Sequence, residues 1–338
     1  MLTKVLLDPS FRLIDTIFTA VDLERVHQVA DVVWGSDEPI PENRLNAVAG
    51  ELEIVVTGAW RHGHPSRFPR LRAILEVGGH LPPREDLDYD HCFSHGIRVL
   101  GCAPAFGPAV AEHGLGLALA STRQIAWTDR AFRTGQPNWS HTSFATEIGD
   151  TFTLYGKQVG MIGFGGLARS LRSLLAPFGC PIQVYDPWLT DTFLRGQGVE
   201  PTGLDTLLSS SRVIFVLATP TSSNRALLTG DALDLISADA VLVLLSRAHV
   251  VDFDALTDRL SAGRFRAAID VFPEEPIPDD HPIRRAPHAV LSSHRAGAIG
   301  EALHDVGRLV ADDLEALCSG RVPQAMQLAQ PETIRLRD

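Results

Sequence analysis

Short apolar runs that break at glycine, separated by stretches of helical spacing, set the pattern of this chain. The clearest run, Val159–Ile162, stops at Gly163-Phe164-Gly165-Gly166. Such a run predicts a strand buried on both faces. Beyond the glycines, Leu167, Leu171, Leu174 and Leu175 recur at helical spacing, with Arg169 and Arg172 off the stripe and Phe178-Gly179 closing the helix. Further runs predict strands at Pro181–Tyr185, Val213–Leu217, Ala240–Leu245, Arg266–Ile269 and Val290–Leu291, with helices at Asp231–Ile236 and Phe253–Ala262 between some of them. The first hundred residues form a smaller set of their own. Strands are expected at Lys4–Leu7, Ile54–Val56 and Ile97–Leu100, with an apolar run at Leu71–Val77 and a helix at Asp22–Val29. Between the two sets, Pro108–Ala120 is a Gly/Ala-rich helix, interrupted by Glu112 and His113 and suited to close packing, and Thr134–Ser140 is a loop. Strands alternating with helices predict an α/β protein built on doubly wound parallel sheets.

The glycine break carries the first chemistry. Strand, glycine turn and helix in that order fit a dinucleotide site: Gly163 for the tight turn, Gly165 for close approach to a pyrophosphate, and Ala168 at the third position of G-x-G-x-x-G/A. The helix N-terminus turns free N–H groups and its positive end toward the phosphates. Asp186, at the end of the next strand, is placed to accept from a ribose 2′-hydroxyl and to repel a 2′-phosphate, which favours NAD(H) over NADP(H).

Composition narrows the classes. The 338 residues are 45% hydrophobic with a net charge of −11, enough chain for two domains and the wrong sign for nucleic acid. No apolar run nears the ~20 residues of a membrane span, and Asp8-Pro9 interrupts the N-terminal run before a signal-peptide core forms, so a cytoplasmic protein is expected. The four cysteines form no C-x-x-C pair, so neither a disulfide framework nor a zinc knuckle is indicated. His91 and His95 stand at i, i+4, the spacing of a metal pair on a helix, but a polar helix face is the favoured reading and no metal is expected. Arg61, His62 and His64 read equally as cations for an anionic substrate or as a solvated loop.

Arg247, Glu275 and His294 fall at or just after successive strand ends, the side of a doubly wound sheet where ligands bind. Hydride chemistry on a 2-oxo or 2-hydroxy acid needs a fixed cation for the carboxylate, an acid/base for the hydroxyl proton, and a carboxylate to orient that base. These three residue types supply that set.

With these motifs in order, the chain resembles the D-isomer-specific 2-hydroxyacid dehydrogenases, phosphoglycerate dehydrogenase-like, over nearly its whole length. VGMIGFGGLA resembles the family's nucleotide turn, and Ser246-Arg247 with Val250-Val251-Asp252 its catalytic-arginine segment. AAIDVFPEEPIPDDHPI is similar to its glutamate segment, SSHRAGA to its histidine segment, and AVAEHGLGLAL to its interdomain helix. The resemblance implies a Rossmann NAD-binding domain at 104–302, inserted into a flavodoxin-like substrate domain formed by 1–103 and 303–338. It implies catalysis by Arg247, Glu275 and His294, and NAD held by Gly163, Gly165, Gly166, Leu167, Asp186, Thr219, Leu245, Asp270 and Gly297. A small 2-oxo or 2-hydroxy acid is held by Gly78, Gly79 and Arg247, in a cleft closed by hinge motion in a homodimer. Arg295, beside the catalytic histidine, reads either as a second cation for the pocket or as a surface residue. The sequence differs from the family pattern at Ser246, Ala248 and Ser293, and the loop Val77–His80 lacks the Val-Asp that often follows its glycine. The alternative is a non-catalytic NAD(H)-sensing binding protein on the same fold.

Overall fold

The computed structural model describes residues 2–135, 139 and 151–336. Most of the loop expected at Thr134–Ser140 lies outside the described residues. The chain divides into two compact units, residues 1–107 with 298–338, and residues 108–297.

In the first unit, β1 (Thr3–Asp8), β2 (Ala30–Gly35), β3 (Ile54–Thr57), β4 (Ala73–Glu76) and β5 (Arg98–Gly101) are parallel in the order β5-β4-β3-β1-β2. This is the flavodoxin-like order, and the short strand Gln327–Leu328 adds antiparallel to β5 at one edge. Alternate residues feed two cores. Val5, Leu7, Ile54, Val56, Ala73 and Leu75 face one, closed by Val306, Val310 and Leu314 of the long helix Gly300–Cys318. Leu6, Val55, Ile74 and Val99 face the other, with Trp60, Phe68 and Leu87. A sheet covered on both faces has no polar side, which is why its central strands read as unbroken apolar runs. Asp313, 1% exposed in that long helix, accepts the N–H groups of Gln324, Ala325 and Met326 and so pins the turn into the edge strand.

In the second unit, β6 (Val159–Ile162), β7 (Ile182–Tyr185), β8 (Glu200–Pro201), β9 (Val213–Val216), β10 (Val241–Leu244), β11 (Arg266–Ile269) and β12 (Ala289–Leu291) run in the order β12-β11-β10-β9-β6-β7-β8, every pair parallel. This is the Rossmann order, whose switch point lies between β6 and β9. Again two cores alternate along the strands: Val159, Met161, Val213, Phe215 and Val243 on one face, Ile162, Ile214, Val216, Leu242 and Leu244 on the other. The Gly/Ala-rich helix spans Gly107–Thr122. A Cβ at its Gly114 would lie 2.4 Å from the Leu245 side chain, so the close packing expected of this helix is realised.

Some elements escaped the pattern. The edge strand β2 follows the helix Ala20–Val29 with no glycine between them and is only half buried, and Glu42–Val48 is a helix with Leu45 as its buried residue. The helix Ile125–Arg133 buries none of its residues. Leu174, counted on the apolar stripe, is 37% exposed, because the stripe that packs is Ala168, Leu171 and Leu175. No helix of the described residues is long and apolar enough to cross a membrane.

Candidate active site

Gly163 has φ +89°, and a Cβ there would lie 2.6 Å from the Ala218 Cα. Glycine is therefore imposed by the loop after β9 pressing on the turn after β6. Gly165 and Gly166 differ: both are exposed, and a Cβ on either would project into open space. Gly165 is the N-cap of the helix Gly166–Leu175 and offers no side chain to its first N–H groups. Bare N–H groups beside a Cβ-free approach form a cradle that fits a pyrophosphate. Leu167, half buried, stands in that first turn.

Asp186 follows β7, but its carboxylate is already engaged. Oδ2 accepts the Phe164 N–H at 2.8 Å and Oδ1 the Trp188 N–H at 3.0 Å. It therefore braces the glycine turn, while remaining in the lining of a cavity of about 500 Å³ with Tyr185, Leu189, Pro201 and Thr202. Thr219 is exposed after β9, its carbonyl accepting from Asn224 at 2.8 Å. The side chain of Leu245 is core, so only its backbone is available to a ligand.

Two loops bring Glu275 and His294 together. Glu275 Oε2 lies 2.6 Å from His294 Nδ1, and Glu275 Oε1 accepts the Phe272 N–H at 2.9 Å. The side chains are 43% and 36% exposed for His294 and Glu275, so the pair faces solvent. Burial pushes the Glu275 carboxyl up, but His294, the Phe272 N–H and Arg247 outweigh it and hold the group below its ordinary value. Arg247 is exposed beyond β10, its Nη1 donating to the Ser246 carbonyl at 2.8 Å. The structure thus brings Glu275 and His294 into contact, with Arg247 near enough for its charge to act on Glu275.

His294 adopts φ +51°, a left-handed conformation that costs a residue with a side chain about 1–3 kcal/mol. Asp270 supplies what holds it there. This carboxylate is 0% exposed; it accepts the N–H of Arg295 at 2.9 Å and of Ala296 at 3.1 Å, while the Asp270 carbonyl accepts the His294 N–H at 2.8 Å. Hydrogen bonds to a buried charged group are worth about 1.5–3 kcal/mol each, enough to outweigh the strain. The resemblance implies cofactor contact for Asp270; in the structure its oxygens fix the loop that carries the histidine. Arg295 joins that loop through its backbone, with an exposed side chain. Gly297, three residues past His294, is half buried.

Sequence reasoning missed His113, read only as an interruption of the apolar helix. Its Nε2 lies 3.1 Å from Ser292 Oγ and 3.5 Å from Asp270 Oδ1, so it supports the histidine loop from beneath. The adjacent ionisable pair Glu112-His113 within a Gly/Ala helix was the available signal.

In the first unit, Gly78 and Gly79 lie half buried in the loop after β4. A Cβ at Gly78 would lie 2.5 Å from both the Gly58 carbonyl and Glu76 Oε1, so only glycine fits. His62 does not serve as a loop cation: it is 4% exposed, 3.6 Å from Asp8, and burial holds its imidazole below the ordinary value against the pull of Asp8. Arg61 is exposed, and His64 is bonded to Asp88 at 3.0 Å. His91 and His95 stack with ring centroids 4.0 Å apart instead of converging on a common point, and among the described residues no cluster suits a metal ion.

Residues 115–296 match the family described as D-isomer specific 2-hydroxyacid dehydrogenase, NAD binding domain. The chain belongs to this family. A D-3-phosphoglycerate dehydrogenase of Mycobacterium bovis is 30% identical over 77% of the chain and 48% of its own length, so the chain spans about half of that relative. A glyoxylate reductase of Thermofilum pendens is 32% identical over 75% of the chain and 74% of its own length. Among solved structures, a phosphoglycerate oxidoreductase from Rhizobium etli superposes with a TM-score of 0.84 at 34% identity, covering 98% of this chain and 99% of that one. The second unit carries the family's NAD binding domain, and the glycine cradle lies within the matched residues.

Proposed function

We propose that this protein is an NAD-dependent D-2-hydroxyacid dehydrogenase, interconverting a small 2-hydroxy acid and its 2-oxo acid. The observation that carries the reading is the 2.6 Å contact between His294 and Glu275 in a loop held at positive φ by buried Asp270. The dinucleotide, when bound, supplies hydride exchange. The N–H groups at Gly165-Gly166 take its pyrophosphate, and Asp186 turns its acidic edge to the ribose, which favours NAD(H) over NADP(H). Arg247 anchors the substrate carboxylate with its planar fork. His294 gives a proton to the 2-oxygen in reduction and takes it back in oxidation; Glu275 accepts from Nδ1, fixes the tautomer and stabilises the charged ring. Gly78 and Gly79 serve the substrate from the first unit, as the family resemblance implies. A homodimer is the expected assembly, and the exposed Ile125 and Phe132 on a helix with no buried residue support it; sedimentation at micromolar concentration tests it.

The deciding assay is NADH oxidation against a panel of 2-oxo acids, followed across pH. Reduction needs protonated His294 and falls as pH rises. Glu275→Gln removes the carboxylate that stabilises the charged ring and should move that fall to lower pH. An unshifted limb breaks the pairing. NADH binding without turnover of any 2-oxo acid leaves the sensor reading in its place.

A further inference from the structure

Glu76 ends β4 and is 1% exposed, yet carries a carboxyl. The Gly78 N–H donates to its Oε1, and the amides of Gly79 and His80 also bond to the group. The carbonyls of the same loop are engaged too. Arg12 donates from Nε to the Val77 carbonyl at 2.7 Å and from Nη2 to the Gly78 carbonyl at 2.9 Å. The Arg12 guanidinium is itself packed 5.3 Å from the Phe11 ring centroid and 5.7 Å from that of Phe106.

We propose that Glu76 and Arg12 are positioning residues that clamp the loop Val77–His80 from its amide side and its carbonyl side, holding it in the shape that receives the 2-oxo acid. This rests on the proposed activity for the substrate, and on the first unit alone for the clamp.

The clamp has a chemical signature. Burial pushes the Glu76 carboxyl up to about 8, against the pull of the three amides and of Arg12. Two strands away at the same level, Asp8 ends β1 with His62 3.6 Å from it, both buried. Thr57, opposite on β3, donates its hydroxyl to the Ala59 carbonyl at 2.7 Å; after β5, the Cys102 thiol is 3.9 Å from Glu76 Oε2 and is held neutral chiefly by burial. Below pH 8 the protonated group has one oxygen committed to its own proton, and above it the carboxylate accepts from all sides. The loop therefore tightens as pH rises through about 8.

Glu76→Gln copies the neutral form and cannot ionise. In the free protein, amide exchange at Gly78, Gly79 and His80, corrected for intrinsic rate, should match the wild type at pH 6 and be about tenfold faster at pH 9, the worth of one charge-assisted hydrogen bond. KM for the preferred 2-oxo acid should follow, equal to wild type at pH 6 and about tenfold higher at pH 9, with kcat and NADH affinity unmoved. Arg12→Lys, which cannot span two carbonyls, should raise KM at both pH values. Equal exchange at pH 9, a KM change of the same size at both pH values, or faster exchange with KM unmoved overturns the proposal. If no 2-oxo acid is reduced by the wild type, the proposed activity fails instead, and the exchange measurement still decides the clamp.

Discussion

Each unit ends its parallel sheet with a buried carboxylate that gathers backbone N–H groups, Glu76 at the tip of β4 and Asp270 just beyond β11. What stands above them differs. Over Asp270 the ionisable side chains are open: Arg247 is exposed, and the His294 and Glu275 side chains are 43% and 36% exposed. Beside Glu76 they are sealed, with Asp8 at 7% and His62 at 4%. The same anchoring device thus holds the outward-facing His294–Glu275 pair in one unit and a glycine loop in the other. Exposed groups stay open to a ligand; buried ones are spent on holding backbone in place.

The sharpest way to break this comparison is to remove the open side. His294→Ala should lower kcat by about 10²–10⁴-fold, the usual worth of a positioned acid/base, while NADH still binds by fluorescence titration. Near-normal kcat would mean that exposure at this loop has no chemical meaning. Next in size is the anchor itself. Asp270→Ala strips the acceptor from the Arg295 and Ala296 N–H groups, each worth about 1–3 kcal/mol when left buried and unmet. Denaturant unfolding should show a loss of about 2–5 kcal/mol, with catalysis falling because His294 loses its conformation. A stable Asp270→Ala protein that also stays active would remove Asp270 from the comparison. Arg247→Lys keeps the charge but not the fork, and should raise KM for the acid about tenfold with NADH affinity unchanged. Equal damage to both would relocate Arg247 to the cofactor.

The smallest effect sharpens the sealed side. Glu76 has an ordinary value of 4.5 and a folded one of about 8, so the folded chain holds the proton more tightly. Its contribution to stability is full below about pH 4.5 and is lost as pH rises to about 8. Between pH 7 and pH 9 the loss is about 1 kcal/mol from this group. Glu76→Gln should flatten that part of the curve in thermal unfolding at the two pH values, and an unchanged slope would show that Glu76 is not the buried proton store.

The strands were legible in the sequence because both sheets are covered on both faces: every central strand must be apolar throughout, and such runs stand out wherever glycine ends them. Gly163 was legible as well, since it ends such a run directly, and Arg247, Glu275 and His294 were legible from the loops beyond the later runs together with the family resemblance. β2 was not, because an edge strand half in solvent has no such constraint, nor was the exposed face of Leu174, which depends on where the helix rests on the sheet. Glu275 was named by the family resemblance, but its 2.6 Å contact with His294 depends on how the loop after β11 folds back. The work of Asp186, Asp270 and Glu76 was decided by tertiary structure alone. A carboxylate at a strand end looks the same in sequence whether it meets a ligand or its own backbone. Which it does follows from burial and from the loops that neighbouring strands bring against it, and those arrive from residues far apart in the chain.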